Sequence, residues 1–384
     1  MQDESLSEEE SVINLQEFDF AQHPVAPPGP GLPESLLWIA GMMMVQAIVS
    51  SVVLVILFFA GGVNLQNLQQ AEIEVIQKKI IKEQMPLIIA WTQGMTAIIV
   101  FFAVILRLGG KKSLVRLPVK RLNVGHTGQL GLLVFIFFAV LAFTGQWNSL
   151  VLTFWNDTVL VYFPQLKSME KESSIELFKN LLPVTPLWAL LLMLAVAPAF
   201  TEELFFRGLI GRGLTARWGV VAGVVITSVL FAAVHISPPH ALALLPLAVV
   251  LHLAHLATRS IWAPMLIHFF FNAIPCVIGK ITIEKDIHAF DKIDSPPFSL
   301  FLFLTSGFCL IALCWLLWSL RYRFTTANGT ELPEGYFAVD VPEEHIKIEG
   351  TFGTPQTAPI VASIIGLLLL AVSIIITGLN QLPK

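Results

Sequence analysis

Long apolar runs separated by short polar stretches make up most of the chain. A helix needs roughly 20 apolar residues to cross the hydrocarbon core of a bilayer. The expected fold class is therefore all-α, a polytopic transmembrane helix bundle with eight or nine spans. Runs of about the required length predict helices at residues 36–61, 86–107, 129–146, 186–214, 218–237, 240–258, 261–280, 298–320 and 358–380.

The composition agrees with a membrane protein. Of the 384 residues, 55% are hydrophobic and only 13% are charged, and the mean hydropathy is +0.75. Soluble domains carry about 25% charged residues, so a soluble fold of this length would lack the polar side chains to cover its surface. A lipid bilayer is an expected partner and a nucleic acid is not.

The polar stretches divide the chain into four regions. Residues 1–34 hold eight acidic side chains, several prolines and no Lys or Arg, a composition typical of disorder. The predicted organisation is a disordered acidic tail at 1–34, N-terminal transmembrane helices at 35–184, a motif-bearing core at 185–280, and C-terminal helices at 281–384 with a polar loop at 321–357.

Basic residues in short loops predict the orientation, because such loops stay in the cytoplasm. The loop after the second predicted helix carries six of them and is expected to be cytoplasmic. Alternating spans then place the N-terminus in the cytoplasm and the last residue outside, in the cell (plasma) membrane. The six residues are Arg107, Lys111, Lys112, Arg116, Lys120 and Arg121.

Three predicted helices carry ionisable or amide side chains among apolar neighbours. Such residues inside a span are costly and suggest a functional site. The three motifs are Glu202-Glu203-x-x-x-Arg207, Phe231-x-x-x-His235 and His268-x-x-x-Asn272.

Helical spacing predicts which of these side chains meet. Glu203 and Arg207 are four residues apart, so they share a face and can pair. Glu202 points about 100° away, towards a neighbouring helix. A turn at 216–219 would bring Glu202 and His235 to similar depth on two antiparallel helices.

Two further features favour convergence of the motifs. Gly219 and Gly223 have the GxxxG spacing that lets helices pack closely. The helix that carries His268 and Asn272 follows a turn on the same side of the membrane. The two glutamates and the two motif histidines are therefore expected at one site.

These side chains suit hydrolysis of an amide by activated water. A carboxylate can take a proton from water, and a histidine can orient that water or bind a metal. His268 and Asn272 can donate hydrogen bonds to the oxyanion. We find no helical Gly-x-Ser-x-Gly motif and no paired aspartates to support a serine or aspartyl mechanism.

Other interpretations remain open from the residues alone. A Glu–Arg pair can simply hold helices together, as in a non-enzymatic immunity factor or sensor scaffold. A transporter with a proton relay is another class, but no inverted repeat is apparent. His252 and His255 could join the site, but a pore-side or interface role fits them equally well, and His240 is interpreted as a loop residue.

The three motifs, in this order, resemble those of the CPBP family of membrane proteases, which includes the CAAX prenyl endopeptidases and bacteriocin-processing homologues. The segment Ser260–His268 is also similar to the family's approach to its last motif. The resemblance covers about residues 185–280. It implies an intramembrane endopeptidase that cuts a membrane-associated peptide or protein, of CAAX or bacteriocin type.

The resemblance also implies a role for each motif residue. Glu202 would be the general base and His235 would hold the water, while Glu203 and Arg207 would support them. His268 and Asn272 would stabilise the oxyanion.

Both a metal-free glutamate mechanism and a metalloprotease mechanism are argued for the family. The metal-free mechanism, which needs no cofactor, is the preferred expectation. The alternative is Zn²⁺ bound by Glu202, His235 and His268. The physiological substrate and the oligomeric state stay open.

Overall fold

The structure is a computed structural model, and it describes residues 27–60, 70–109, 127–170, 174–285, 297–326, 331–336 and 348–380. Most of the predicted acidic tail lies outside the described residues, as does most of the basic loop used to predict orientation.

The described chain is a bundle of long apolar helices, which confirms the predicted fold class. Eight stretches are long and apolar enough to cross a membrane, by length and composition. In chain order the α-helices of five or more residues are α1 (Leu32–Ala60), α2 (Gln70–Arg107), α3 (Thr127–Phe154), α4 (Ser174–Val184), α5 (Leu187–Leu191), α6 (Ala197–Glu202), α7 (Arg212–Ala233), α8 (Pro238–Thr258), α9 (Trp262–Lys285), α10 (Leu300–Ser319) and α11 (Thr357–Asn380); a short α-helix at Leu160–Tyr162 and a 3-10 helix at Pro164–Glu170 lie between α3 and α4.

Three π-helical segments widen the helical path: π1 (Trp155–Val159), π2 (Leu192–Val196) and π3 (Glu203–Gly211). The segments α5, π2, α6, π3 and α7 are consecutive in the sequence from Leu187 to Ala233. The prediction treated its first part as regular α-helix. Because π-helical turns often occur at functional sites, π3 is notable: it holds two of the motif residues.

The 47-residue stretch from Leu187 to Ala233 is two rods rather than one. Gly219 interrupts it with a φ of 77° and a ψ of 176°, which are not helical. Residues with a Cβ atom rarely adopt this φ, whereas glycine does so at little cost. The break lies at the predicted turn, so this stretch supplies the fourth and fifth of the nine predicted helices.

The two rods before and after Gly219 form a hairpin, and Gly223 allows them to pack closely. A Cβ atom at Gly223 would lie 2.6 Å from Cα of Thr215, whereas a Cβ at Gly219 would meet nothing within 4 Å. The GxxxG prediction is thus right for one glycine, while the other makes the turn.

Several helices and strands lie in polar parts of the sequence where the prediction had placed connections. Helix α2 begins at Gln70 and continues through a charged stretch, since a helix outside the apolar layer can expose charges. Helix α4 lies in a predicted connection. Two short antiparallel strands, β1 (Tyr322–Thr326) and β2 (Ile348–Phe352), form within the predicted polar loop.

Two large apolar clusters and a smaller one pack the described part of the bundle. One large cluster joins α3, α8, α9 and α10, with fully buried Ile136, Leu251 and Cys309. The other large cluster joins α1 and α2 to π3 and α7, with fully buried Phe206 and Leu209 at its centre. Helix α2 packs directly on α6 and π3, so helices outside the motif region surround the motif residues.

Two polar segments dock onto the helix ends of the motif region. The carbonyl of Gly335 accepts a hydrogen bond from Nε of Arg212 at 3.1 Å, and that of Tyr336 accepts one from Arg259 at 3.3 Å. On the N-terminal side, Arg217 donates to the carbonyl of Gly29 at 3.1 Å. Part of the predicted polar loop is therefore a packed element of the bundle.

Candidate active site

The motif Glu–Arg pair forms a buried ion pair. In π3, Nη1 of Arg207 lies 2.7 Å from Oε1 of Glu203, and both side chains are fully buried. Arg207 also donates to the carbonyl of Ala248 on α8, at 3.1 Å. The pair therefore neutralises a charge inside the bundle and ties π3 to α8.

His268 connects the two glutamates. Its Nδ1 lies 2.8 Å from the same Glu203 oxygen, and its Nε2 lies 3.9 Å from Oε2 of Glu202. A carboxylate can only accept, so Nδ1 of His268 is the donor. Glu203 thereby fixes the ring so that the other nitrogen faces Glu202.

Phe231 on α7 lies at the centre of the motif residues. Its ring is 4.4 Å from the Arg207 guanidinium carbon and 5.9 Å from the His268 ring. The His235 ring is 5.3 Å away. The Nδ1 of His235 lies 3.1 Å from the Phe231 carbonyl, an acceptor, which leaves Nε2 available. One buried ring thus sets the relative positions of three ionisable groups.

Glu202 and His235 line one cavity of about 320 Å³. The Glu202 side chain is 23% exposed, and its buried Oε2 has no hydrogen-bond partner. The cavity has six polar lining residues: Gln46, Gln93, Thr201, Glu202, His235 and Ser237. Of the two motif glutamates, Glu202 faces the cavity and Glu203 faces the protein interior.

A tight turn after His235 forms part of the cavity wall. Ile236 has a φ of 62°, a left-handed conformation that is rare for a β-branched residue. The amide of Ser237 donates to the carbonyl of His235 at 2.6 Å. Strain of this kind costs of order 1–3 kcal/mol and often occurs at functional sites. Here it joins α7 to α8 beside the cavity.

Five of the six predicted site residues are linked by contacts, and Asn272 is not. Asn272 lies one turn after His268, is half-buried, and forms no hydrogen bond or ion pair within the described part of the chain. His240 belongs to the first turn of α8, not to a loop, and its ring lies 5.3 Å from that of His235. His252 and His255 are buried away from the cavity.

Residue-by-residue reasoning missed the two cavity amides, Gln46 on α1 and Gln93 on α2. The available signal was a glutamine inside an otherwise apolar run. Only the packing of α1 and α2 against the motif region shows that both amides share the cavity with Glu202.

The geometry does not favour a zinc site. Among the described residues, no group of three or more His, Cys, Asp or Glu side chains is arranged to hold a metal ion. The alternative with Glu202, His235 and His268 as zinc ligands therefore has no support from the arrangement, and we assign no step to a metal.

Comparison with known protein families gives a match to part of the chain. Residues 183–274 match the family model described as type II CAAX prenyl endopeptidase, Rce1-like. No curated protein and no solved structure matches the chain. The match spans all three motifs and supports an intramembrane protease at the level of the family. Together with the eight apolar helices, it makes the chain an integral, multi-pass membrane protein. Residues 183–274, which carry the motif geometry described above, are thus similar to the Rce1-like family of type II CAAX prenyl endopeptidases.

Proposed function

We propose that the protein is an intramembrane endopeptidase that hydrolyses a peptide bond of a membrane-associated peptide or protein. One observation carries the proposal: the two adjacent glutamates have opposite environments. Glu203 is fully buried and paired with Arg207, whereas Glu202 reaches a cavity that His235 also lines. A carboxylate without a hydrogen-bond partner beside a histidine and a cavity suits the activation of water.

In this mechanism Glu202 is the general base. Glu202 takes a proton from water while the water oxygen bonds to the carbonyl carbon of the substrate. His235 orients the water through its available Nε2. The carbonyl electrons move to oxygen, and the resulting oxyanion accepts hydrogen bonds from His268 and Asn272. The C–N bond then breaks, and Glu202 returns the proton to the leaving nitrogen, so that an acid and an amine are the products.

Glu203 and Arg207 act as positioning residues. Glu203 accepts from His268 at 2.8 Å, which holds the imidazole towards Glu202. Arg207 supplies the positive charge that makes a buried carboxylate tolerable. Neither side chain lines the cavity, so their effect on the reaction passes through His268.

The absence of a hydrogen bond to the Glu202 carboxylate favours an enzyme over a scaffold. A scaffold role explains the Glu203–Arg207 pair, because that pair ties π3 to α8. It gives no reason for Glu202 to lie beside a cavity with an oxygen that lacks a hydrogen bond. A second costly polar group at the same place is what the proposed chemistry requires.

We also propose a plasma-membrane location with a cytoplasmic N-terminus. Glu34 near the start of α1 and Arg107 at the end of α2 pair at 2.6 Å, so these two helix ends lie on the same side. The predicted basic loop begins there. Labelling single cysteines in intact cells tests this: a cysteine in place of Lys111 stays unlabelled by an impermeant reagent, and labelling would reverse the orientation.

Cleavage of a peptide library by the purified protein in nanodiscs tests the activity. We expect the wild type to cut apolar peptides, and Glu202→Gln to lower kcat/KM by about 10²–10⁴-fold, the usual contribution of a general base. His235→Ala should also abolish detectable cleavage. Glu83→Gln is the matched control, because Glu83 is 57% exposed on α2, and it should cleave as the wild type does.

Thermal unfolding of each variant separates chemistry from folding. Glu202→Gln should unfold near the wild-type temperature, since it keeps the size of the side chain and removes a charge. Undiminished cleavage by Glu202→Gln and His235→Ala would reject the mechanism. Absence of cleavage by the wild type across the library would favour the scaffold.

A further inference from the structure

Two amide side chains from outside the family-matched segment complete the active-site cavity. Gln46 on α1 and Gln93 on α2 line it together with Glu202 and His235. Both lie in apolar helices long enough to span a membrane, where a polar amide without a partner costs free energy. Both side chains are half-buried. Their position therefore calls for a ligand or a structural partner.

Structural partners are absent for these two amides but present for other glutamines. Neither Gln46 nor Gln93 makes a hydrogen bond within the described ranges of the chain. By contrast, buried Gln129 donates to the carbonyl of Leu320 at 2.8 Å, and buried Gln146 accepts from the amide of Ser299 at 2.7 Å. Glutamines that stabilise this bundle are thus buried and paired, and the two at the cavity are neither.

The helix pair that carries the two amides is held together by other groups. On the same helices, Ser50 and Thr92 are hydrogen-bonded to each other at 3.1 Å. Apolar contacts with π3 complete the packing. The packing of α1 and α2 therefore gives no role to the amides of Gln46 and Gln93.

A third unpaired polar group lies in the same cavity wall. Thr201 is only 4% exposed, and its hydroxyl has no hydrogen-bond partner among the described residues. It directly precedes Glu202 in α6 and lines the cavity. Two neutral amides that both donate and accept thus lie in the cavity wall beside the general base, together with a residue whose buried hydroxyl has no partner.

An unwound peptide needs such groups inside a membrane. To expose a bond to attack, a helical substrate must break its internal hydrogen bonds near that bond. Each freed N–H or C=O then costs several kcal/mol in an apolar medium unless the protein satisfies it. A primary amide presents one acceptor and two donors and so matches a peptide group. A cavity of about 320 Å³ exceeds the space of one attacking water, roughly 30 Å³.

We infer that Gln46 and Gln93 form a subsite that hydrogen-bonds the main chain of an unwound substrate segment beside its scissile bond. This inference rests on the proposed function and deepens it. The substrate class is an apolar peptide segment recognised through its backbone in extended form, with limited dependence on side chains. Gln46 and Gln93 also give α1 and α2 a functional role beside the matched segment.

Binding of a defined peptide tests the subsite apart from cleavage. The probe is a dye-labelled peptide of alternating alanine and leucine, whose Kd for the protein in nanodiscs is measured by fluorescence anisotropy against empty nanodiscs. All proteins carry Glu202→Gln so that the peptide is not consumed. We expect Gln46→Leu and Gln93→Leu each to raise Kd about 3–10-fold, the usual effect of one lost hydrogen bond.

A second probe identifies the main chain as the bonded group. In this peptide an ester replaces successive amides, which removes N–H donors without changing side chains. If Gln46 or Gln93 hydrogen-bonds the replaced amide, the parent protein has a higher Kd for the ester peptide than for the amide peptide. The leucine variant of that glutamine should then raise the Kd of the ester peptide little further. If the leucine variants raise the Kd of every ester peptide by the same factor, main-chain recognition is overturned.

Two control variants separate the subsite from helix packing. Gln84→Leu lies on an exposed part of α2, and Ser50→Ala removes the hydrogen bond to Thr92; both should leave Kd unchanged. Unchanged Kd in Gln46→Leu and Gln93→Leu, or absence of peptide binding by the parent protein, overturns the inference. Full cleavage by Glu202→Gln would instead reject the proposed mechanism, while the Kd comparison still decides the subsite.

Discussion

The Nδ1 atom of His268 lies 2.8 Å from Oε1 of Glu203, and the same oxygen accepts from Arg207 at 2.7 Å. A single buried carboxylate oxygen therefore holds one residue from its own helical segment and one from α9. This arrangement gives the adjacent glutamates different tasks. Glu203 positions His268, and Glu202 is left to face the cavity.

Removing the Glu203 charge should destabilise the protein strongly. In Glu203→Gln, the fully buried Arg207 loses the carboxylate that lies 2.7 Å from it. An uncompensated buried charge costs about 3–5 kcal/mol. We expect a clear fall in the unfolding temperature in nanodiscs and a loss of cleavage. A double variant, Glu203→Gln with Arg207→Met, should recover part of that stability because it removes the unpaired charge.

The exposed ion pair of Lys79 and Glu83 provides the comparison. Its atoms are 4.0 Å apart and its side chains are 71% and 57% exposed, so Glu83→Gln should change stability by less than about 1 kcal/mol. If the double variant unfolds at a lower temperature than Glu203→Gln, the two side chains are not coupled as the geometry indicates.

Hydrophobic run length predicted most of the fold because membrane spans need a fixed apolar length. It missed α4 and the start of α2, whose polar residues lie in helices outside apolar runs. It also missed the pairing of β1 with β2, because the two strands are separated by more than twenty residues. Long-range pairing of polar segments leaves no periodic signal in either segment alone.

For the site, motif spacing predicted the Glu203–Arg207 pair because four residues span one helical turn. It did not separate the tasks of Glu202 and Glu203 by geometry, since that depends on which neighbouring helix each one faces. The cavity amides Gln46 and Gln93 were missed for the same reason. Only tertiary packing places them beside the motifs.

The hairpin of the motif region should open when Gly223 gains a side chain. A Cβ at Gly223 would lie 2.6 Å from Cα and 2.8 Å from N of Thr215, which are backbone atoms that cannot rotate away. Gly223→Ala should therefore force the two rods apart, cost about 1–3 kcal/mol and misalign Glu202 with His235. We expect cleavage to fall more than stability.

Gly145→Ala is the matched control for this change. A Cβ there would meet nothing within 4 Å, and alanine is favoured over glycine in a helix, so this variant should be at least as stable as the wild type. Wild-type cleavage by Gly223→Ala would show that the two rods can separate without loss of activity. It would contradict the close approach of Gly223 to Thr215 as a requirement for the site.

The docked segment at 331–336 should depend on Gly335. This residue has a φ of 94°, and a Cβ would lie 2.8 Å from the Arg212 carbonyl oxygen. Gly335→Ala should cost about 1–3 kcal/mol through backbone strain and weaken the hydrogen bond from Arg212. Thermal unfolding measures this, with Gly131→Ala as the control because its Cβ meets nothing within 4 Å. Equal stability of the two variants would show that the segment is not anchored there.

Phe231 should matter for catalysis as well as for packing. It is only 1% exposed, and its ring contacts Arg207, His235 and His268 at once. Phe231→Ala leaves a cavity that costs about 3–5 kcal/mol, so Phe231→Leu is the better probe of function. Leucine keeps the site apolar but removes the ring over the guanidinium, an interaction worth about 2 kcal/mol when desolvated.

The measurement for Phe231→Leu is kcat/KM at a temperature where both proteins are folded. With the ring gone, His235 and His268 no longer contact one rigid side chain, and a small displacement of a catalytic group can lower the rate about 10²-fold. Phe301→Leu on α10, where the side chain is 45% exposed, should have no such effect. If both leucine variants cleave alike, the aromatic ring contributes packing alone, and the alignment of the histidines must come from their own backbone and hydrogen bonds.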